Sequence, residues 1–274
     1  MARPPRLQFP DAIYHVSARG NERAAIYRND GDRRHFLELL GDAVRHEHWR
    51  VLTYCLMTNH YHLLVQTPVP NLARGMRQLN GVYAQSFNRR HARVGHLFQG
   101  RYAARIVQED AHLLLAVRYV VRNPIRARLC HGPEEWRWSS HRAALGSTPA
   151  GFLDRASLLS YFGPSPGEAL ERYREHCREA ESSALDRHPL IDGDESFTIT
   201  TLERIERVPG VPRRYFQGPR PALAVLLTSS GRDAIAAARE AGYGVREIAR
   251  HLGVAPSTIS RRLRGRSGLA TDET

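Results

Sequence analysis

The sequence predicts an α+β chain in two parts, an antiparallel sheet with helices first and an all-helical domain at the C-terminus. Three observations carry this expectation. Across roughly the first 125 residues, short runs of aromatic and β-branched residues interleave with runs of helical spacing. Beyond about residue 130 the character changes, to a tryptophan-bearing segment and charged helical stretches. Near the end, two short helical patterns flank a single glycine, Gly253.

Taken in order, Ile13 to Ala18 reads as a strand that stops at Arg19-Gly20-Asn21. Phe36, Leu37, Leu40 and Val44 recur at helical spacing within 32–48, with Asp32 as the expected cap. Strands are expected over Arg50–Leu56 and Tyr61–Gln66, the second closed by Pro68 and Pro70. Asn71 can cap the next helix, whose inner face includes Leu72, Met76, Leu79, Val82 and Tyr83. A fourth strand is expected over Arg101–Val107. A helix then runs from Asp110 to Arg122, with Pro124 bending or ending it. The order β-α-β-β-α-β plus a helix is the ferredoxin-like split βαβ arrangement.

Trp136 and Trp138 flank Arg137 in a segment expected to pack back on the sheet. The stretch 164–184 reads as loop and charged helix, 192–196 as polar linker, and 222–227 and 233–240 as helices. The expected division is a first domain over 1–130, a helical extension and linker over 131–199, and a helical C-terminal domain over 200–274. In that last part Ile248, Ala249, Leu252, Val254, Ile259 and Leu263 suit the core of a helix-turn-helix. Gly253 supplies the turn, and Ser257, Thr258, Ser260, Arg261 and Arg262 lie where a second helix can face a groove; Arg264 and Arg266 add charge. A plain three-helix packing module is the competing explanation.

The composition narrows the partners. Of 274 residues, 40 are Lys or Arg against 28 Asp or Glu, a net charge of +12, which favours a polyanion such as nucleic acid. No apolar run approaches the ~20 residues that cross a bilayer, so no membrane partner is expected. Three scattered cysteines argue against a disulfide scaffold or a thiolate zinc cluster. With no signal-like N-terminus, the expected compartment is the reducing cytoplasm.

Asn59-His60-Tyr61-His62-Leu63-Leu64-Val65 is the sharpest chemical feature. In an extended chain His60 and His62 share one face. Two such imidazoles can hold a divalent metal, contact a phosphate, or merely occupy a solvated strand face. Tyr119 and Asn123, four apart on a helix, also share a face. They offer a phenolic nucleophile and an amide oxygen, or else a core aromatic and a helix-end residue.

These segments resemble the single-tyrosine transposases of the HUH class, and within them the REP-associated tyrosine transposases. The likeness rests on Ile13-Tyr14-His15-Val16 with Arg19-Gly20-Asn21-Glu22-Arg23, and on Met57-Thr58-Asn59-His60-Tyr61-His62-Leu63-Leu64-Val65. It continues in Leu79-Asn80-Gly81 with Tyr83, Phe87-Asn88-Arg89-Arg90-His91 and Gly95-His96-Leu97-Phe98-Gln99-Gly100-Arg101-Tyr102. Arg118-Tyr119-Val120-Val121-Arg122-Asn123-Pro124-Ile125-Arg126-Ala127 and Trp136-Arg137-Trp138-Ser139-Ser140 complete it.

The resemblance implies metal-dependent cleavage and joining of single-stranded DNA beside a hairpin, with Mg²⁺ or Mn²⁺ as cofactor. His60, His62 and Asn123 match the metal positions, and Tyr119 the tyrosine that becomes joined to the 5′ end. Two departures stand out: Ala103 where many relatives carry lysine, and Val121 where many carry histidine. Members act as dimers or monomers, and the sequence leaves both open.

Arg19, Arg23, Arg89, Arg90, Arg93, Arg101, Arg118 and Arg122 are candidates for phosphate contact, with Arg126 adding charge; solvated surface is the alternative. Tyr83, Phe98 and Tyr102 could stack on unpaired bases, although Tyr83 and Phe98 equally suit a core. The C-terminal domain is expected to take duplex DNA. Two competing functions remain at this stage. One is a non-catalytic regulator that grips hairpin DNA or RNA, and the other a repressor acting through the C-terminal domain alone.

Overall fold

The computed structural model describes residues 7–109, 111–149, 151–180, 190–206, 223–227, 231–241 and 243–264. It divides into two compact units, one built on residues 4–198 and the other on 199–274. The first unit opens with β1 (Ala12–Arg19), α1 (Asp30–Glu47), β2 (Arg50–Leu56), β3 (His60–Thr67), α2 (Leu72–Arg90) and β4 (Ala103–Val107). It goes on through α3 (Ala111–Arg126), α4 (His141–Ala144), α5 (Arg155–Ser160), α6 (Pro166–Arg178) and β5 (Ile191–Asp192). Helix α7 (Glu195–Glu206) straddles the boundary. The second unit then carries α8 (Leu223–Leu226), α9 (Arg232–Glu240), α10 (Val245–His251) and α11 (Pro256–Arg264).

The sheet order is β2-β3-β1-β4-β5. Its first four strands pair antiparallel, as the expected split βαβ order requires, and β5 joins β4 in parallel. Strand alternation sorts β1 and β3 into two faces. On one, Tyr61 meets Phe36 of α1, with ring centroids 4.8 Å apart, and Phe36 meets Tyr83 of α2 edge-on at 5.1 Å. All three rings are fully buried. Fully burying a side chain of Phe36's size contributes roughly 3 kcal/mol. The other face carries His15, Ser17, His60 and His62 and is covered by α3, which packs on β2 and β3.

Several local expectations are corrected. The cap of α1 is Asn29, whose side chain accepts from Asp32 N, while Asp32 accepts in return from Asn29 N, completing a capping box. Asp32 is fully buried and also takes Arg28 N, Arg90 and His91. Burial opposes its charge, but those donors outweigh it and hold the carboxyl below its ordinary range. Asn71 occupies the cap position of α2 without capping. Its Oδ1 accepts from Trp49 Nε1 and its Nδ2 donates to Glu47 O, both at 2.8 Å. Val82 points outward at 41% exposure, and Phe87 takes the inner place further along α2.

The fourth strand starts at Ala103 rather than Arg101. Helix α3 continues through Pro124 to Arg126, since a proline so near the end removes only one hydrogen bond. Asp192, expected in a linker, lies in β5, held by Gln108 N donating to Asp192 O at 2.8 Å. Asp110, 181–184 and Ala222, at the ends of expected elements, lie outside the described residues.

Trp136 to Ser140 seals the β2 edge. Leu56 N donates to Trp138 O, Ser140 N to Tyr54 O, and Trp136 Nε1 to Leu56 O, at 2.9, 3.0 and 3.1 Å. All three cysteines are free thiols. No helix among the described residues is long and apolar enough to cross a membrane.

Candidate active site

Strand register assembles the site. In the β1–β3 ladder Arg19 pairs with His60 and Ser17 with His62, which puts His15 one step diagonally from His62. His15 Nε2 and His62 Nδ1 lie 2.9 Å apart, and both side chains are buried. The His60 and His62 rings stand nearly perpendicular with centroids 5.1 Å apart. His60 is half-buried and bonds through Nδ1 to Asn59 Oδ1 at 2.7 Å, while Asn59 Nδ2 donates to Arg23 O.

From α3, Tyr119 sets its ring edge-on to both His15 and His62, at 5.5 Å in each case. One turn on, Asn123 is buried and donates through Nδ2 to Tyr119 O at 2.8 Å. That bond fixes the amide nitrogen against the helix and leaves Oδ1 as the oxygen with ligand chemistry. Arg126 lays its guanidinium over the Tyr119 ring, 4.7 Å from the centroid, close enough for a cation–π interaction.

Charge and burial keep the imidazoles neutral. Burial, then the Arg19 charge, pushes His60 down to about 4. Burial drives His62 well below the usual histidine range, helped by His15, His60, Arg19 and Arg126. Neutral imidazole is the form that ligates a metal. Among the described residues no three His, Cys, Asp or Glu side chains are grouped to hold a metal. A third protein ligand would therefore be an oxygen such as Asn123 Oδ1. Two adjacent neutral imidazoles and an amide oxygen make a donor set that suits a divalent cation.

A loop borders this face. Gly20 N donates to Asn59 O at 2.8 Å, Asn21 N to Leu97 O at 2.9 Å and Gln99 N to Arg19 O at 3.0 Å. The end of β1, the β2–β3 turn and the 97–99 segment thus converge beside His60. Gly20 is the only residue type that fits there, because a Cβ would stand 2.1 Å from Ala24 O. Arg19, Arg23 and Arg101 are exposed around this junction and in the segment that follows Gln99.

The other candidate arginines go elsewhere. Arg118 is buried and binds Glu179 and His176, each at 2.7 Å, and Arg122 donates to Cys177 O and Arg178 O. Both staple α3 to α6. Arg90 is committed to Asp32, and Arg93 to Asn88 Oδ1 and His96 O, while Arg89 is exposed. Tyr83 is a core residue whose hydroxyl donates to Ile26 O; Phe98 and Tyr102 are half-buried. His15 enters the motif resemblance only within Ile13-Tyr14-His15-Val16, and spacing does not mark it, because a lone histidine in an alternating strand carries no signal until its neighbour strand is known.

In the second unit, α10 and α11 share a core of Ile248, Ala249 and Ile259 with Ile235, Ala238 and Leu227. Gly253 makes the turn with φ +66°. On α11, Ser257 and Arg261 are exposed and Thr258, Ser260 and Arg262 half-buried. Arg266 lies outside the described residues.

Residues 8–123 match the family model described as "Transposase IS200 like". Residues 8–123 are therefore similar to an IS200-like transposase domain. Residues 227–266 match a helix-turn-helix domain model. No curated protein matches the chain. A solved structure described as "the REP associates tyrosine transposase bound to a REP hairpin" aligns with a TM-score of 0.45 and 16% identity. That alignment covers 55% of this chain and 90% of the other.

Proposed function

We propose that this transposase cuts and rejoins single-stranded DNA beside a hairpin, with Tyr119 as nucleophile and a Mg²⁺ or Mn²⁺ ion as cofactor. The observation that carries the proposal is the packing of the Tyr119 ring against His62 and under the Arg126 guanidinium. A phenol, two neutral imidazoles and a fixed cation at one spot suit attack on a phosphodiester. The hairpin, and the place among REP-associated enzymes, follow from the motif resemblance.

In the proposed step the Tyr119 Oη–P bond forms as the P–O3′ bond breaks. The phenol gives up its proton and the departing 3′ oxygen takes one up, so a 5′-phosphotyrosine and a free 3′-hydroxyl result. Attack by a 3′-hydroxyl reverses the exchange and joins strands with no external energy source. A divalent cation on His60, His62 and Asn123 Oδ1 would polarise the scissile phosphate and neutralise charge as it develops. Asn123 also steadies the Tyr119 turn through its bond to the Tyr119 carbonyl.

Arg126 is assigned to the phosphate, since its charge stands over the Tyr119 ring. Arg126→Ala is expected to slow cleavage about 10²-fold with little change in hairpin affinity. Single-turnover rates at saturating DNA check this, and an unchanged rate removes the assignment.

The helix-turn-helix unit is assigned to duplex DNA, through the exposed Ser257 and Arg261 of α11. Arg261→Ala should weaken duplex binding and reduce the salt slope of log K by about 1, while sparing cleavage of a short single-stranded substrate. Fluorescence anisotropy across a salt series reads both affinity and slope.

The whole proposal is tested by incubating the chain with hairpin-flanked single-stranded DNAs drawn from repeats beside its gene. Mg²⁺, Mn²⁺ or EDTA is added, and a denaturing gel reports the products. A protein–DNA adduct that needs metal is the expected result. Tight hairpin binding without any adduct would instead favour a non-catalytic regulator.

A further inference from the structure

We infer that His15 is a positioning residue for the proposed cation site, holding His62 in the tautomer whose Nε2 is the ligand atom. The inference rests on the metal reading of His60 and His62. Its basis is the 2.9 Å contact between His15 Nε2 and His62 Nδ1 inside a buried pair. A neutral imidazole carries one proton, and a ring that ligates through Nε2 must keep that proton on Nδ1. At 2.9 Å from His62 Nδ1, His15 Nε2 is placed to accept it. The ring is then fixed in orientation as well as in tautomer, which is the work a supporting shell does for ligating histidines.

Topology brings His15 to His62 from the neighbouring strand. It comes from β1, whose register with β3 is locked along the whole strand from Ala12–Thr67 to Arg19–His60. His15 also sets its ring against Tyr119 at 5.5 Å, as His62 does. One side chain therefore touches both the proposed ligand and the proposed nucleophile. It is not itself grouped with His60 and His62 as a third metal ligand, because its Nε2 is turned onto His62.

The test is calorimetric titration of the full chain, without DNA, with Mn²⁺. His15→Leu removes the acceptor and should weaken Mn²⁺ binding about 10- to 100-fold. His15→Gln keeps a side-chain carbonyl oxygen that can accept from His62 Nδ1, and should recover most of the lost affinity. Melting curves without metal monitor folding of both variants. Unchanged affinity in His15→Leu, or equal losses in both variants, overturns the inference while leaving the metal reading intact. A wild-type chain that binds no Mn²⁺ overturns both together.

Discussion

Tyr119→Phe should abolish the covalent protein–DNA adduct and lower strand cleavage by at least about 10³-fold. The substitution removes one oxygen and little else. A phenyl ring keeps the edge contacts to His15 and His62 and the face that Arg126 covers. Folding, metal binding and hairpin affinity should therefore stay near wild type, so a lost adduct isolates the nucleophile from the rest of the site. The check is a denaturing gel with labelled DNA alongside anisotropy on the same hairpin. An adduct that persists would move the nucleophile to another residue. Loss of binding together with cleavage would mean that Tyr119 serves the fold.

How far this site can be read from the amino-acid order depends on whether its geometry is local. His60 and His62 are legible because alternation along one strand decides that they share a face. Tyr119 and Asn123 are legible because a helix brings positions four apart together. Each pair is settled within one element. His15 is not legible, since only the β1–β3 register brings it to His62, and register depends on where a neighbouring strand settles. The same limit separates the arginines of α3. Arg118 and Arg122 share a face by spacing, yet nothing local says that this face meets α6 through Glu179 and the Cys177 and Arg178 carbonyls. The basic tract at the end of α2 likewise reads as exposed charge until Asp32, nearly sixty residues earlier, takes Arg90 and His91.

The fold was legible for a related reason. Each of the first six elements carries its own periodicity. What escaped was structure defined by partners. A two-residue strand such as β5 has no periodicity to detect and exists because β4 offers a free edge. Asn71 and Asp32 are both helix-start residue types, but tertiary donors decide what each one does. Asp32 answers to Arg90 and His91 as well as to its own helix, and Asn71 bridges Trp49 and Glu47 instead of capping.

His62→Ala is expected to cost cleavage on the order of 10³-fold and to reduce Mn²⁺ binding below measurement, while leaving hairpin binding largely intact. Three features set the size of this effect. His62 is the more deeply buried of the two candidate histidine ligands, so water replaces it poorly. Its ring touches that of Tyr119, so its loss also removes a contact of the proposed nucleophile. It is also the partner of His15, which would be left buried with its Nε2 facing a void. The last two effects make His62→Ala a heavier change than His60→Ala, whose ring is half-buried and bonds locally to Asn59. Parallel titrations and single-turnover rates for the two variants therefore test the geometry as well as the ligand assignment. If metal coordination were the whole role of both histidines, the two losses would be equal. A larger loss of rate for His62→Ala than for His60→Ala is what a ring packed against the proposed nucleophile requires. Equal losses would reduce the Tyr119 contact to simple packing, and retained Mn²⁺ binding in both variants would move the cation elsewhere.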